Sequence, residues 1–299
     1  MNAKTFMRFK TKNKPQNLES FDEKIEKAIS EIKKIFPFDG YMDNSNESYK
    51  SIAKSVMDYI KPDCKILDLG CGPADKPAIL QNLGYRCTGF DDLSDEWHDL
   101  NDNKNKIINF AKAAKINLII SNTKSIELKK ESFDMLMSND MIEHLHDSPR
   151  ILLNKFLEYL KPGGYLLITV PNAVNIRKRI SVLRGRTNLP DFYTYYWSPG
   201  KWRGHIREYV KNDLYLLSEY LGLDIRKIKG CDHMISSRLK GIFKKLYLFL
   251  TGFDDSLKDS WTLIAQKPMN WESISEVQSR KYLKYLSLKS YSGFNPDQN

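Results

Sequence analysis

The chain has 299 residues, 41% of them hydrophobic, and a formal net charge of +10. That is enough apolar material for one full α/β core, and the surplus charge points to a nucleic-acid partner only if the basic residues cluster. No run reaches the ~18 apolar residues of a membrane span, and the basic start (Arg8, Lys10, Lys12, Lys14) lacks the apolar core of a signal peptide, so a cytoplasmic protein is expected.

Phe21 to Ile35 predicts a helix, with Ile25, Ala28, Ile29, Ile32 and Ile35 on one face, inside a polar N-terminal extension covering 1–46. Ser45 to Ile60 reads as the helix that precedes the first strand of a main domain spanning 47–268. Lys65-Ile-Leu-Asp-Leu-Gly-Cys-Gly-Pro-Ala74 then runs an apolar stretch with an embedded acid into Gly-x-Gly, the pattern of a buried parallel strand turning tightly into a helix N-terminus. Gly70 and Gly72 permit positive φ and let a ligand lie against bare backbone. A dinucleotide would place its pyrophosphate beside Asp75, where a carboxylate repels it. Asp68 adds a second negative charge, so the site suits a ligand carrying an ammonium and a sulfonium.

Tyr85 to Asp92 reads as a second strand closed by acids, and Asp91 falls roughly 20 residues past the glycines, where an acid reaches ribose hydroxyls. Asp92 or Leu93 would border an adenine. Leu93 to Ile116 is longer than a plain crossover, and its Trp97 is either a further adenine neighbour or a packed surface ring. A third strand at about 117–121 leads into Ser121-Asn122-Thr123. Phe133 to Met137 is a short buried strand followed by Asn139, Asp140, Glu143 and His144. Asp147 or Ser148 caps a helix whose Ile151, Leu152, Phe156 and Leu160 share a face, Lys161 to Gly164 stops it, and Tyr165 to Val170 is the next buried strand.

These motifs resemble those of class I S-adenosylmethionine (SAM)-dependent methyltransferases, of the "type 11" kind, over roughly residues 47 to 268. The resemblance implies a Rossmann-like, seven-stranded, mostly parallel sheet with helices on both faces, one antiparallel edge strand and a cap insertion. It implies SAM as cofactor, held by Asp68, Gly70, Cys71, Gly72, Asp91, Asp92, Asn122, Thr123 and Asn139. Asn122 departs from the pattern, since an Asp usually stands there; an amide carbonyl can accept the same hydrogen bond from adenine without charge assistance.

Residues 173–209 form the insertion, which holds the densest basic patch: Arg177, Lys178 and Arg179, then Arg184 and Arg186, then Lys201, Arg203 and Arg207. Lying above the strand ends, it reads as a funnel for an anionic substrate more than a track for a nucleic-acid backbone. A helix over Lys211–Leu221 and strands at Leu223–Lys229 and Trp261–Gln266 complete the sheet. Between those strands, 236–253 predicts an amphipathic helix that lids the sheet or joins two copies, with an anionic membrane as the alternative surface. The tail, 269–299, carries no readable motif. The chain's four cysteines (Cys64, Cys71, Cys87, Cys231) show no metal spacing and serve as small apolar residues.

Methyl transfer to an alcohol needs a base that removes the acceptor's proton. His144, following Glu143 beside the donor site, and His205, in a Gly-His-x-Arg-x-Tyr context, are the two candidates, with Arg177, Arg203, Arg207 and Tyr209 orienting the acceptor. Asp140, Glu143 and His144 also resemble in spacing the metal site of ubiquinone-biosynthesis O-methyltransferases, with Asp in place of a Glu; a reaction without metal is expected. The sequence thus points to O-methylation of a small, anionic, hydroxylated acceptor such as a nucleotide-linked or phosphorylated sugar for surface glycan synthesis. A lipid or quinone acceptor, RNA, and a non-catalytic SAM-binding role are the alternatives.

Overall fold

The computed structural model describes residues 20–122, 126–232 and 239–273. Thr123, His233, the first residues of the 236–253 segment and most of the tail lie outside them. The sheet has seven strands in the order β3-β2-β1-β4-β5-β7-β6. They are β1 (Lys65–Leu69), β2 (Arg86–Asp91), β3 (Asn117–Ile120), β4 (Phe133–Asn139), β5 (Leu160–Pro171), β6 (Asp224–Cys231) and β7 (Ser260–Gln266). The order reverses between β1 and β4, which pair in parallel, and in a doubly wound sheet that is where a crevice opens. The reversed strand, β7, pairs antiparallel with both β5 and β6, so it stands one place in from the edge.

Helices α1 (Phe21–Ile35), α2 (Asn46–Met57), α3 (Asp75–Asn82), α4 (Glu96–Asp99) and α5 (Asn103–Ala113) precede β3 in the chain. Ile25, Ile29, Val56, Ile66 and Met135 share one core on one side of the sheet. Ser20 and Glu23 close a reciprocal capping box that starts α1 where the pattern puts it. The buried stripe of α1 packs into the same core as α2 and α3, so the segment before residue 47 is built into the main body. Trp97 is settled as a packing residue: its ring lies 4.8 Å from that of Phe38.

The opposite core is formed under α6 (Pro149–Leu157) and α9 (Lys211–Tyr220). Ser148 caps α6, with Pro149 at its first position. Its inward face is Leu153, Phe156 and Leu157, whereas Ile151 is exposed. Of the expected stripe, Leu152 and Phe156 pack inward and Ile151 does not; α6 ends at Leu157, and Leu160, though buried, already belongs to β5. Lys161 to Gly164 extend that strand instead of stopping the helix. The insertion carries two short helices, α7 (Ile176–Leu183) and α8 (Phe192–Tyr196), and α10 (Gly241–Thr251) lies between β6 and β7.

Because Ile25 is fully buried, Ile25→Ala is expected to destabilise the whole protein by about 2–5 kcal/mol. A urea-unfolding midpoint unmoved by the substitution would detach α1 from the folding unit.

Candidate active site

The β1 turn is a backbone cradle. Gly70 (φ +71°) and Gly72 (φ +52°) both lie in the left-handed region. A Cβ at Gly72 would meet nothing within 4 Å, so open space lies in front of it, whereas one at Gly70 would collide with Met141. Asp91, at the end of β2, accepts from the Gly72 N–H and the Leu93 N–H, at 2.8 Å each, and so fixes the shape of the turn. Cys71 is buried with its thiol against Gly89, which leaves only its main chain near the cradle.

Asp68 is buried, with Asn139 Nδ2 3.4 Å from Oδ1, while Oδ2 has no hydrogen-bond partner among the described residues. Burial pushes its carboxyl up to about 7, opposed by the Lys76 ammonium and reinforced by Asp75. Asp75 itself turns away into the core, where the Tyr49 hydroxyl donates to it at 2.5 Å. It is therefore a neighbour of the cradle's electrostatics and no part of its wall. Asp92 is exposed and accepts from the Ser94 N–H; Asn122 is exposed beyond β3; and Leu93 is buried.

Past β4, a 3₁₀ turn (Ile142–His144) brings a second group of side chains together. Glu143 is fully buried and neither carboxyl oxygen has a hydrogen-bond partner among the described residues. Burial, with the charge of Asp140, pushes it up to about 8. The His144 and His205 rings meet edge to face with centroids 4.9 Å apart. His144 Nδ1 is 2.8 Å from the Arg203 carbonyl, and His205 Nδ1 is 2.8 Å from Glu208 Oε1. Each Nδ1 is placed to donate, which leaves both Nε2 atoms as the basic nitrogens. Burial, His144 and Lys178 together push His205 down to about 4, so its ring is neutral at physiological pH.

The insertion is stitched over this turn. The Ile206 N–H donates to the Glu143 carbonyl at 2.7 Å, and His146 Nε2 lies 2.7 Å from the Trp202 carbonyl. The structure brings His144 and His205, the two histidines that the sequence pattern singles out, into contact. The pattern missed Glu208, three residues after His205, whose other oxygen meets Lys178; the His-x-x-Glu spacing is the signal that could have revealed it. A cleft of about 460 Å³ adjoins His205, lined among others by Arg177, Lys178, Pro190, Trp202 and Glu208. Arg203 instead donates to the Ser94 carbonyl at 3.0 Å, and Arg207 faces Asp213 at 3.4 Å. Tyr209 is buried, with its hydroxyl on the Ile142 carbonyl, a packing role. The ligand atoms of Glu143, His144 and His205 lie within 4.8 Å of one another, so the set that could hold a cation has His205 where the sequence suggested Asp140.

The parallel sheet, its glycine cradle at the β1 turn and the acid closing β2 form the cofactor crevice of a class I methyltransferase. A family model described as a methyltransferase domain matches residues 22–228, and the chain belongs to that family. Ubiquinone biosynthesis O-methyltransferase of Rickettsia bellii is 22% identical over 170 residues, 56% of this chain and 65% of that protein. Phosphoethanolamine N-methyltransferase 3 of Arabidopsis thaliana is 32% identical over 117 residues, 37% of this chain and 21% of that one. The chain thus covers less than two thirds of the length of either.

Among solved structures, phosphoethanolamine N-methyltransferase 2 of Haemonchus contortus, in complex with phosphomonomethylethanolamine and S-adenosylhomocysteine, superposes with a TM-score of 0.52. It is 18% identical, and the match covers 83% of this chain and 60% of that one. A methyltransferase of Haloferax volcanii solved with the Trm112 activator gives 0.52 at 13% identity, covering 83% and 99%. These structures share the fold. The chain carries the methyltransferase domain of that family on a class I fold.

Glu143 gives a pH-dependent stability. Its folded pKa, about 8, is above its ordinary 4.5, so the folded state holds a proton that the unfolded state releases between those values. Stability from this group therefore falls as pH rises from about 4.5 to 8. Glu143→Gln should gain melting temperature relative to the parent across that window and run parallel to it above. A constant difference at all pH values would mean that the carboxyl is not buried and unpaired.

Proposed function

We propose that the chain O-methylates a small, anionic, hydroxylated acceptor, of which a nucleotide-linked or phosphorylated sugar in surface glycan synthesis is the best-fitting class. The observation that carries this reading is the Glu208–His205 pair opening onto a cleft lined by Arg177 and Lys178. Bound SAM supplies a methyl group on a positively charged sulfur. The chain's own residues hold the reactants in line and remove the acceptor's proton. His205 Nε2 accepts that proton, and Glu208 on Nδ1 stabilises the imidazolium as it forms. The exposed Arg177 guanidinium offers a bidentate contact to a phosphate or carboxylate, and the Trp202 ring an apolar wall.

The residues at the cradle fit the cofactor. Asp68 Oδ2, buried and unpartnered, would take the ammonium; the open face of Gly72 would admit the donor; and Asp91, whose oxygens each retain a lone pair, would reach the ribose. Since Asp68 sits at about 7 without ligand, binding must displace a proton at lower pH. S-adenosylhomocysteine affinity, read by calorimetry, should weaken about tenfold per pH unit below that value. Asp68→Asn should bind weakly at every pH. An affinity that is flat from about pH 6 to 8 would remove Asp68 from the ammonium site.

Turnover is tested with labelled SAM and pools of nucleotide sugars. His205→Gln should abolish it while S-adenosylhomocysteine still raises the melting temperature. Arg177→Ala should raise the acceptor KM by an amount worth about 1.5–3 kcal/mol, roughly tenfold to a hundredfold, and leave cofactor affinity alone. An uncharged acceptor, or an unchanged KM, defeats the anionic reading. Turnover is expected to survive EDTA; loss on chelation and rescue by Mg²⁺ would put a cation between Glu143, His144 and His205 instead.

A further inference from the structure

Helix α10 neither lids the sheet nor buries its apolar stripe. Its inward residues are Tyr247 and Thr251, whose hydroxyls donate to the two oxygens of Asp232 at 2.7 and 2.9 Å. Those polar contacts aim the rest of the helix outward. Ile242 is 75% exposed, Phe243 70%, Leu246 53% and Phe249 64%, and Phe253 just beyond meets Phe249 edge to face with centroids 4.9 Å apart. A soluble surface rarely leaves so many large apolar side chains on successive turns without a partner.

The charges on the helix itself are of one sign. Lys245 flanks the stripe and Lys240 stands at its start, whereas Lys244 shares the inward face with Tyr247 and Thr251, and Gly241–Thr251 contains no acid. The acids that follow are already engaged: Asp254 accepts from the Ser256 N–H and hydroxyl, and Asp255 pairs with Lys258 at 2.6 Å. The basic helix α7 is tethered to the same turn, since Arg179 Nη2 donates to the Ser256 hydroxyl at 2.8 Å. A second copy docked through this face would set lysines against lysines in a chain of net charge +10, which Coulomb repulsion opposes. An anionic lipid surface matches both the apolar stripe and its cationic rim. With eleven residues α10 is only about 16 Å long, and no helix among the described residues is long and apolar enough to cross a membrane. Lying in the interface plane is the geometry left to it.

We infer that α10 docks the protein onto anionic lipid bilayers, with Ile242, Phe243, Leu246 and Phe249 entering the headgroup boundary and Lys240 and Lys245 held at the lipid charges. The inference does not depend on the identity of the methyl acceptor. It is tested by co-sedimenting the full chain with vesicles of phosphatidylcholine alone or with about a third phosphatidylglycerol. The parent protein should bind the anionic vesicles at least about tenfold more tightly than the neutral ones and be released by high salt. Phe243→Ser with Phe249→Ser should lose binding while keeping the melting temperature and its rise with S-adenosylhomocysteine, because both side chains face solvent. Lys240→Glu with Lys245→Glu should lose the preference for anionic lipid. A parent protein that stays in the supernatant overturns the proposal, as does a doubly serine-substituted chain that sediments like the parent. Sedimentation as a dimer that the serine substitutions dissociate would also overturn it, by assigning the face to a second copy.

Discussion

Two carboxyls buried at the carboxyl ends of neighbouring strands constrain the rest of the site. Asp68 ends β1 and Glu143 follows β4, and each has an oxygen that no described residue satisfies. Burying an acid without a partner is unfavourable, and both carboxyls respond by holding their protons more tightly than usual. The fold tolerates this because the parallel pairing of β1 with β4 and the cores on both faces fix the strand ends. The nearby counter-charge is Lys76, whose ammonium is favoured by Asp75 and Asp140 although burial opposes it. Such a site is arranged to gain more from a cationic ligand than a solvated pair of acids would.

The same constraint explains how the insertion docks. Glu143 cannot be left beside open solvent channels and stay protonated, and the Ile206 and Arg207 N–H groups cover its main chain while the two imidazoles close over its side chain. Anchoring runs both ways. His144 and His146 each meet a carbonyl of the insertion, so the post-β4 loop and the insertion hold one another in place. His205 thereby arrives beside the strand ends from a segment some sixty positions further along the chain, as His144–Arg203 pairing (|i−j| of 59) shows directly.

Much of this was legible in the chain. The Gly-x-Gly turn, the acid after the second strand and the alternation of apolar runs with helical stretches each have a local cause, so β1, β2 and α1 fall where the pattern places them. The errors have physical reasons. The end of α6 is not legible because a continuous apolar run hides the point at which helix gives way to strand, and β5 starts at Leu160. Tyr209 looked like a substrate contact because its neighbours His205 and Arg207 are polar, yet its ring faces inward to the Ile142 carbonyl. Arg203 and Arg207 belong to a basic cluster in sequence, but Ser94 and Asp213 divert them. Glu208 and Met141 act through contacts that only the folded chain defines.

The charge layout also bears on which end of a ligand goes where. Asp68, Asp91 and Glu143 gather at the strand ends, whereas Arg177 and Lys178 line the insertion's cleft together with His205. A field pointing across the two histidines favours a cationic donor on the acidic side and an anionic acceptor on the basic side. If both reactants were cationic, the basic wall would repel the second as the first neutralised the acids. If both were anionic, the buried carboxyls would stay protonated and contribute little. Opposite charges on donor and acceptor would satisfy both walls at once, beside a neutral imidazole whose Nδ1 is held by a carboxylate.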